Sequence, residues 1–152
     1  MESIINVSEG ITGIGHLAIR ARNLDTLLTF YTDTLGFPEL FRLTADDGSV
    51  RLVYVHVTDA QFLEFFPNGE GDGPAPREAV GLNHLCLTVS DLDSVVEVLT
   101  TRGVALTRPL ITGADGNRQA WIDDPEGNRI ELMEMSPVGM QAQAVAQMHA
   151  AK

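Results

Sequence analysis

The chain has 152 residues, a formal net charge of −11 and 44% hydrophobic residues, a length and apolar share that suit one compact domain or two small modules with a common core. Ten basic residues stand against twenty-one acidic ones, which speaks against nucleic acid and membrane surfaces as partners, because both need a basic footprint. No apolar run approaches the roughly 20 residues of a membrane span, the N-terminal MESIINVSEG lacks a secretory pattern, and the single cysteine, Cys86, fits a reducing compartment; a cytoplasmic location and a small-molecule substrate are the expectations.

Taken in chain order, the first strand runs through Gly13-Ile14-Gly15-His16-Leu17-Ala18-Ile19. Leu24, Leu27, Leu28, Phe30 and Tyr31 follow at helical spacing, and Gly36 supplies a left-handed stop. Extended stretches come next at Glu39–Leu43, Val50–Val57 and Gln61–Phe66, with Asp46-Asp47-Gly48-Ser49 as a turn between the first two. The Pro/Gly-rich PNGEGDGPAP then breaks the pattern. Beyond it the chain repeats itself. Gly81-Leu82-Asn83-His84-Leu85-Cys86-Leu87 aligns with the opening strand, and Asp91-Leu92-Asp93 with Asn23-Leu24-Asp25. A second helical pattern (Leu92, Val95, Val96, Val98, Leu99) stops near Gly103, and strands are expected at Ala105–Leu110, Arg118–Asp123 and Arg129–Met135. Asp25 and Asp93 stand where acidic side chains favour a helix N-terminus.

Each half therefore reads β-α-β-β-β, in the α+β class. The expected organisation is a first module over residues 11–67, a linker over 68–79, a second module over 80–136 and a tail over 137–152. A module of this size stabilises itself poorly, so the two are expected to pack as one unit. The tail segment Gln141–Ala151 is expected to form a short helix, frayed or packed on a partner subunit.

The repeat duplicates chemistry as well as apolar residues. His16 and His84 take equivalent places in the first strand of each half; Glu64 and Glu131 take equivalent places in the last. Strand alternation puts Leu85, Leu87 and Val89 under the helix and His84, Cys86 and Thr88 on the other face. Ile130 and Leu132 likewise take the helix face, leaving Glu131 and Met133 opposite. A carboxylate inside an apolar strand is costly unless neutralised, and a divalent cation neutralises it directly. Two neutral imidazoles and two carboxylates with a dication sum to zero and suit one Zn, Ni, Co, Mn or Fe ion, with up to two positions left for water or substrate. His56, which alternates with apolar residues, is assigned to structure or surface, with lining of the cavity as the alternative, and His149 to the tail.

These features resemble the vicinal oxygen chelate superfamily (glyoxalase I, bleomycin-resistance proteins, fosfomycin-resistance enzymes, methylmalonyl-CoA epimerase, extradiol dioxygenases). The resemblance covers about Ile11 to Ser136 and rests on Gly15-His16-Leu17-Ala18-Ile19, Phe30-Tyr31 through Leu35-Gly36-Phe37, Gly81-Leu82-Asn83-His84-Leu85 and Asp124-Pro125-Glu126-Gly127-Asn128-Arg129-Ile130-Glu131-Leu132. It implies two tandem βαβββ modules forming an open curled sheet around a central metal cavity. It also implies a homodimer, with a site formed within one chain or across swapped modules. The set His16, Glu64, His84 and Glu131 is most similar to that of glyoxalase I (lactoylglutathione lyase). Glyoxalase I holds glutathione carboxylates with Arg and Asn; Arg20, Asn117 and Arg118 are the candidates here, none of them in a matching motif.

The activity implied is isomerisation by proton transfer next to a carbonyl, through a metal-stabilised enediolate. Glu131 is expected to move the proton, with Glu64 as its symmetry-related partner. Other enzymes of the same fold are the alternative, an acyl-CoA or sugar epimerase or an iron-dependent dioxygenase. A drug-binding resistance protein is the alternative of another class.

Overall fold

The computed structural model describes residues 7–150. The chain divides into two compact units, Met1–Gly69 and Glu70–Lys152. After a 3-10 turn at Val7–Gly10, the first unit comprises β1 (His16–Arg20), α1 (Leu24–Thr29), β2 (Glu39–Thr44), β3 (Val50–Thr58) and β4 (Gln61–Phe66). The second comprises β5 (Leu85–Val89), α2 (Leu92–Thr101), β6 (Arg108–Thr112), β7 (Arg118–Asp123), β8 (Arg129–Glu134) and α3 (Met140–Ala150). Each unit holds one open four-stranded sheet, in the order β1-β4-β3-β2 and β5-β8-β7-β6. In both, the first strand runs parallel to the last, and the remaining pairs are antiparallel. The result is α+β, two tandem βαβββ modules with no closed barrel.

The helices begin as their aligned sequences require. Asn23 Oδ1 accepts from the Thr26 amide at 3.1 Å, and Asp91 Oδ1 from the Ser94 amide at 3.0 Å, satisfying donors that the first turn leaves open. Their endings differ. α2 closes with paired bonds from Gly103 to the Thr100 carbonyl and from Val104 to Leu99, with Gly103 at φ 80°. α1 instead widens into a π turn over Phe30–Thr34, where the Leu35 amide reaches the Phe30 carbonyl five residues back. The core lies between each helix and its sheet: Leu27, Tyr31, Val53, Val55, Leu63 and Phe65 in the first unit, Leu92, Leu99, Ala120, Ile122, Ile130 and Leu132 in the second.

Three expected boundaries move. His84 stands one residue before β5, not inside it. β6 starts at Arg108 rather than Ala105 and runs on to Thr112, with a register shift between Arg108 and Ile111 interrupting its ladder at Pro109. The residues expected to link the modules are largely folded into the second unit: Arg129 donates to the Asn83 carbonyl (2.9 Å) and the Ala75 carbonyl (3.4 Å), and Asn83 Nδ2 donates to the Arg77 carbonyl (2.7 Å). α3 buries none of its residues but is anchored at its start. There the Met140 amide donates to the Asp115 carbonyl at 2.8 Å, and Gln141 meets Asp115 and Asn117.

Candidate metal centre

Tight turns set the register that builds each pair. Between β7 and β8, Asp124 Oδ1 accepts from the amides of Glu126 and Asn128, both at 2.9 Å, and Gly127 takes φ 86°. This turn sets Trp121 opposite Glu131. In the first unit the β3–β4 turn sets Tyr54 opposite Glu64, and His56 Nε2 lies 3.0 Å from the Asp59 carbonyl, which gives that histidine a turn-closing role. Parallel pairing then places Ala18 beside Glu64 and Cys86 beside Glu131, two residues after His16 and His84 respectively.

The four expected residues accordingly form two matched pairs. His16 Nε2 lies 3.4 Å from Glu64 Oε2, and His84 Nε2 lies 3.0 Å from Glu131 Oε2. Both carboxylates are largely covered, with side chains 10% and 13% exposed, while the imidazoles are more open at 46% and 30%. Each unit contributes one pair; among the described residues no group of three or more His, Cys, Asp or Glu side chains is gathered closely enough to hold a metal.

The pairs fit a metal on two grounds. Ligands about 2.1 Å from one ion stand roughly 3.0 Å apart at a right angle and roughly 3.4 Å apart at a tetrahedral angle, the separations seen here. The second ground is the tautomer of His84. Its Nδ1 faces Asn83 Oδ1 at 3.0 Å, and the Asn83 amide is oriented by its own donation to the Arg77 carbonyl. With Nδ1 donating to Asn83, Nε2 is the ring nitrogen turned to the Glu131 carboxylate, where a cation between them would take both as ligands.

An aromatic ring walls each pair, and these rings were absent from the sequence expectation. Tyr54 meets His16 edge-on at 5.9 Å, and Trp121 meets His84 edge-on at 4.7 Å. The signal was present: each aromatic precedes its glutamate by ten residues, the offset that a hairpin of this register demands. Burial, followed by the adjacent Glu64, holds the Tyr54 phenol above its ordinary range. Burial also leads in pushing the Cys86 thiol up to about 12, with Glu131 contributing, so Cys86 stays a neutral thiol near neutral pH.

The three residues named for carboxylate recognition are engaged in holding the fold. Arg20 donates to the Pro67 carbonyl at 2.8 Å. Asn117 is fully buried and knits Asp115, Gln141 and the Ser136 amide together. Arg118 pairs with Asp93 at 2.7 Å and with Glu134 at 3.3 Å.

The family model for the Glyoxalase/Bleomycin resistance protein/Dioxygenase superfamily matches residues 13–132. The chain belongs to that superfamily. It is 30% identical over 130 residues to Uncharacterized protein YaeR of Escherichia coli (strain K12), covering 82% of this chain and 98% of the relative. It is 26% identical over 145 residues to a lactoylglutathione lyase of Pseudomonas aeruginosa, covering 80% of this chain and 81% of that protein. Among solved structures, a glyoxalase family protein from Enterococcus faecalis superposes with a TM-score of 0.71 at 28% identity, covering 82% of this chain and 99% of that one. The superfamily includes many enzymes, and its members typically bind a divalent metal. Among the described residues no helix is long and apolar enough to cross a membrane.

Proposed function

We propose that the chain is a metal-dependent lyase/isomerase of the glyoxalase I type, in which His16, Glu64, His84 and Glu131 together hold one divalent metal. The observation that carries this reading is the duplicated His–Glu pair, with nitrogen–oxygen separations of 3.4 and 3.0 Å and both carboxylates largely buried. Similarity to the lactoylglutathione lyase of Pseudomonas aeruginosa supports the choice of reaction.

When bound, the metal supplies Lewis-acid polarisation of substrate oxygens. The remaining work falls to the chain. The Glu131 carboxylate takes the proton from the carbon next to the substrate carbonyl and returns it to the neighbouring carbon. Its cover, with Trp121 opposite and Cys86 alongside, limits water at the carboxylate. Glu64, beside Tyr54 and Ala18, completes the set.

The test is turnover of the methylglyoxal–glutathione hemithioacetal by metal-replete protein, together with its Glu131→Gln variant. The variant is expected to keep much of its metal and lose turnover. Near-normal activity would overturn the assignment of Glu131. Purified protein with neither stoichiometric metal nor turnover would leave small-molecule binding as the reading.

A further inference from the structure

The two histidines are held by different means. His16 lies inside β1, where it pairs with Phe62 of β4. His84 stands one residue before β5, ahead of the first paired position, Leu85 with Ile130. Strand pairing does not reach it, and a side chain takes over. Asn83 Oδ1 lies 3.0 Å from His84 Nδ1, and Asn83 Nδ2 donates to the Arg77 carbonyl at 2.7 Å. A carbonyl only accepts, so the amide nitrogen must face Arg77 and the amide oxygen must face the ring. That oxygen also only accepts, so Nδ1 carries a proton. Nε2, which stands 3.0 Å from Glu131 Oε2, is then the ring atom offered to a metal.

The clamp is itself anchored. Arg129 Nε donates to the Asn83 carbonyl at 2.9 Å, and Arg129 opens β8, two residues before Glu131. A short relay thus runs from the strand that carries the glutamate, through Asn83, to the histidine ring. The first unit has no such relay. Alignment of the two copies puts Gly15 at the place of Asn83, and glycine offers no side chain. Nothing lies within 4 Å of where a Cβ on Gly15 would sit, so crowding does not explain the difference. Among the described residues His16 meets Glu64 and the edge of Tyr54, and no hydrogen bond reaches its Nδ1. Its ring is also the more exposed of the two and stands farther from its glutamate.

We infer that Asn83 is a positioning residue, which makes His84–Glu131 the stronger half of the metal centre and leaves His16–Glu64 the weaker half. The inference rests on the metal reading proposed above and adds to it an unequal division of the binding between the two copies. A histidine already turned and already in the right tautomer loses little side-chain freedom when the metal arrives, whereas one held only by an edge contact must first be ordered. The hydrogen bond at Nδ1 also makes Nε2 a better donor to the metal.

Zinc affinity of the metal-stripped full-length protein, measured by competition with a chromogenic chelator, reads this without turnover. Asn83→Ala is expected to weaken zinc by about 10–100-fold. Asn83→Asp keeps an acceptor for Nδ1 while giving up the donation to Arg77, and is expected to recover part of that loss. An effect transmitted through His84 vanishes once His84 is gone, so a double-mutant cycle separates positioning from a merely structural role. Asn83→Ala is expected to weaken zinc further in a His16→Gln background and to change nothing in a His84→Gln background. His16→Gln is expected to retain more affinity than His84→Gln, and this order carries the test should Asn83→Ala fail to fold. Long-range proton–nitrogen spectra of the zinc-loaded protein are expected to show the His84 proton on Nδ1. Equal zinc affinity in Asn83→Ala and wild-type protein, an equal loss with and without His84, or tighter zinc in His84→Gln than in His16→Gln would overturn the inference and leave the metal reading intact. Protein that binds no zinc would overturn both. Zinc binding that depends on Asn83, in protein that never turns over a hemithioacetal, would remove the glyoxalase reading and leave the inference standing.

Discussion

The two modules share a topology and a His–Glu pair but differ in what surrounds it. In the first, Tyr54 is walled by Phe41, Phe62 and His16, at centroid distances of 4.7, 6.2 and 5.9 Å. In the second, Trp121 is flanked by Arg77, Arg108 and His84. Both copies carry a histidine beside a glutamate, at 3.4 and 3.0 Å. The ring of the first module is thus walled by other aromatics, and that of the second by cations.

The largest expected effect tests whether the glutamates are interchangeable. Glu131→Gln should lower kcat by about 10²–10⁴-fold, the range of a lost general base, while Glu64→Gln should act more through metal content; steady-state kinetics with metal analysis of each variant separates the two. Equal kcat losses at equal metal content would mean that the copies are catalytically equivalent. Next come the cores, which should be alike. Leu63→Ala and Leu132→Ala each remove a nearly inaccessible side chain between helix and sheet and should each cost about 2–5 kcal/mol in urea unfolding.

The helix caps give smaller and more discriminating effects. Asn23→Ala removes the bond to the Thr26 amide and should cost about 1 kcal/mol at any pH. The cap of α2 is titratable. Hydrogen bonds from Ser94 hold the Asp91 carboxyl below its ordinary value of 3.8. A lowered folded value means that the cap is fully stabilising above that ordinary value and is lost as pH falls through the folded one. Hydrogen exchange at the Ser94 amide should therefore accelerate in acid, relative to the global stability, while Thr26 should not. Parallel behaviour of the two amides would show that the caps are not the difference between the helices.

Much of this was legible in the chain because the features concerned are local. The β-α-β-β-β order, the glycines after each helix and the face shared by His16 with Glu64 and His84 with Glu131 follow from period-2 and period-3.6 patterns and from self-alignment. Where the reading moved, a non-local contact decided. The Arg108–Ile111 shift breaks the β6–β7 ladder at Pro109, and Arg129 holds the Pro/Gly-rich segment on the second unit.

By itself, then, the sequence determined the duplication, the alternation and the two matched His–Glu pairs, since each depends only on spacing along the chain. Tertiary structure alone decided which arginines are free. Arg20 directly follows the Gly15–Ile19 motif and Arg118 opens β7, yet Pro67 engages the first and Asp93 and Glu134 the second. Arg77 and Arg108, 31 residues apart in the numbering, meet only across Trp121. A long cationic side chain can reach several neighbours from one backbone position, and strand register with loop anchoring selects among them.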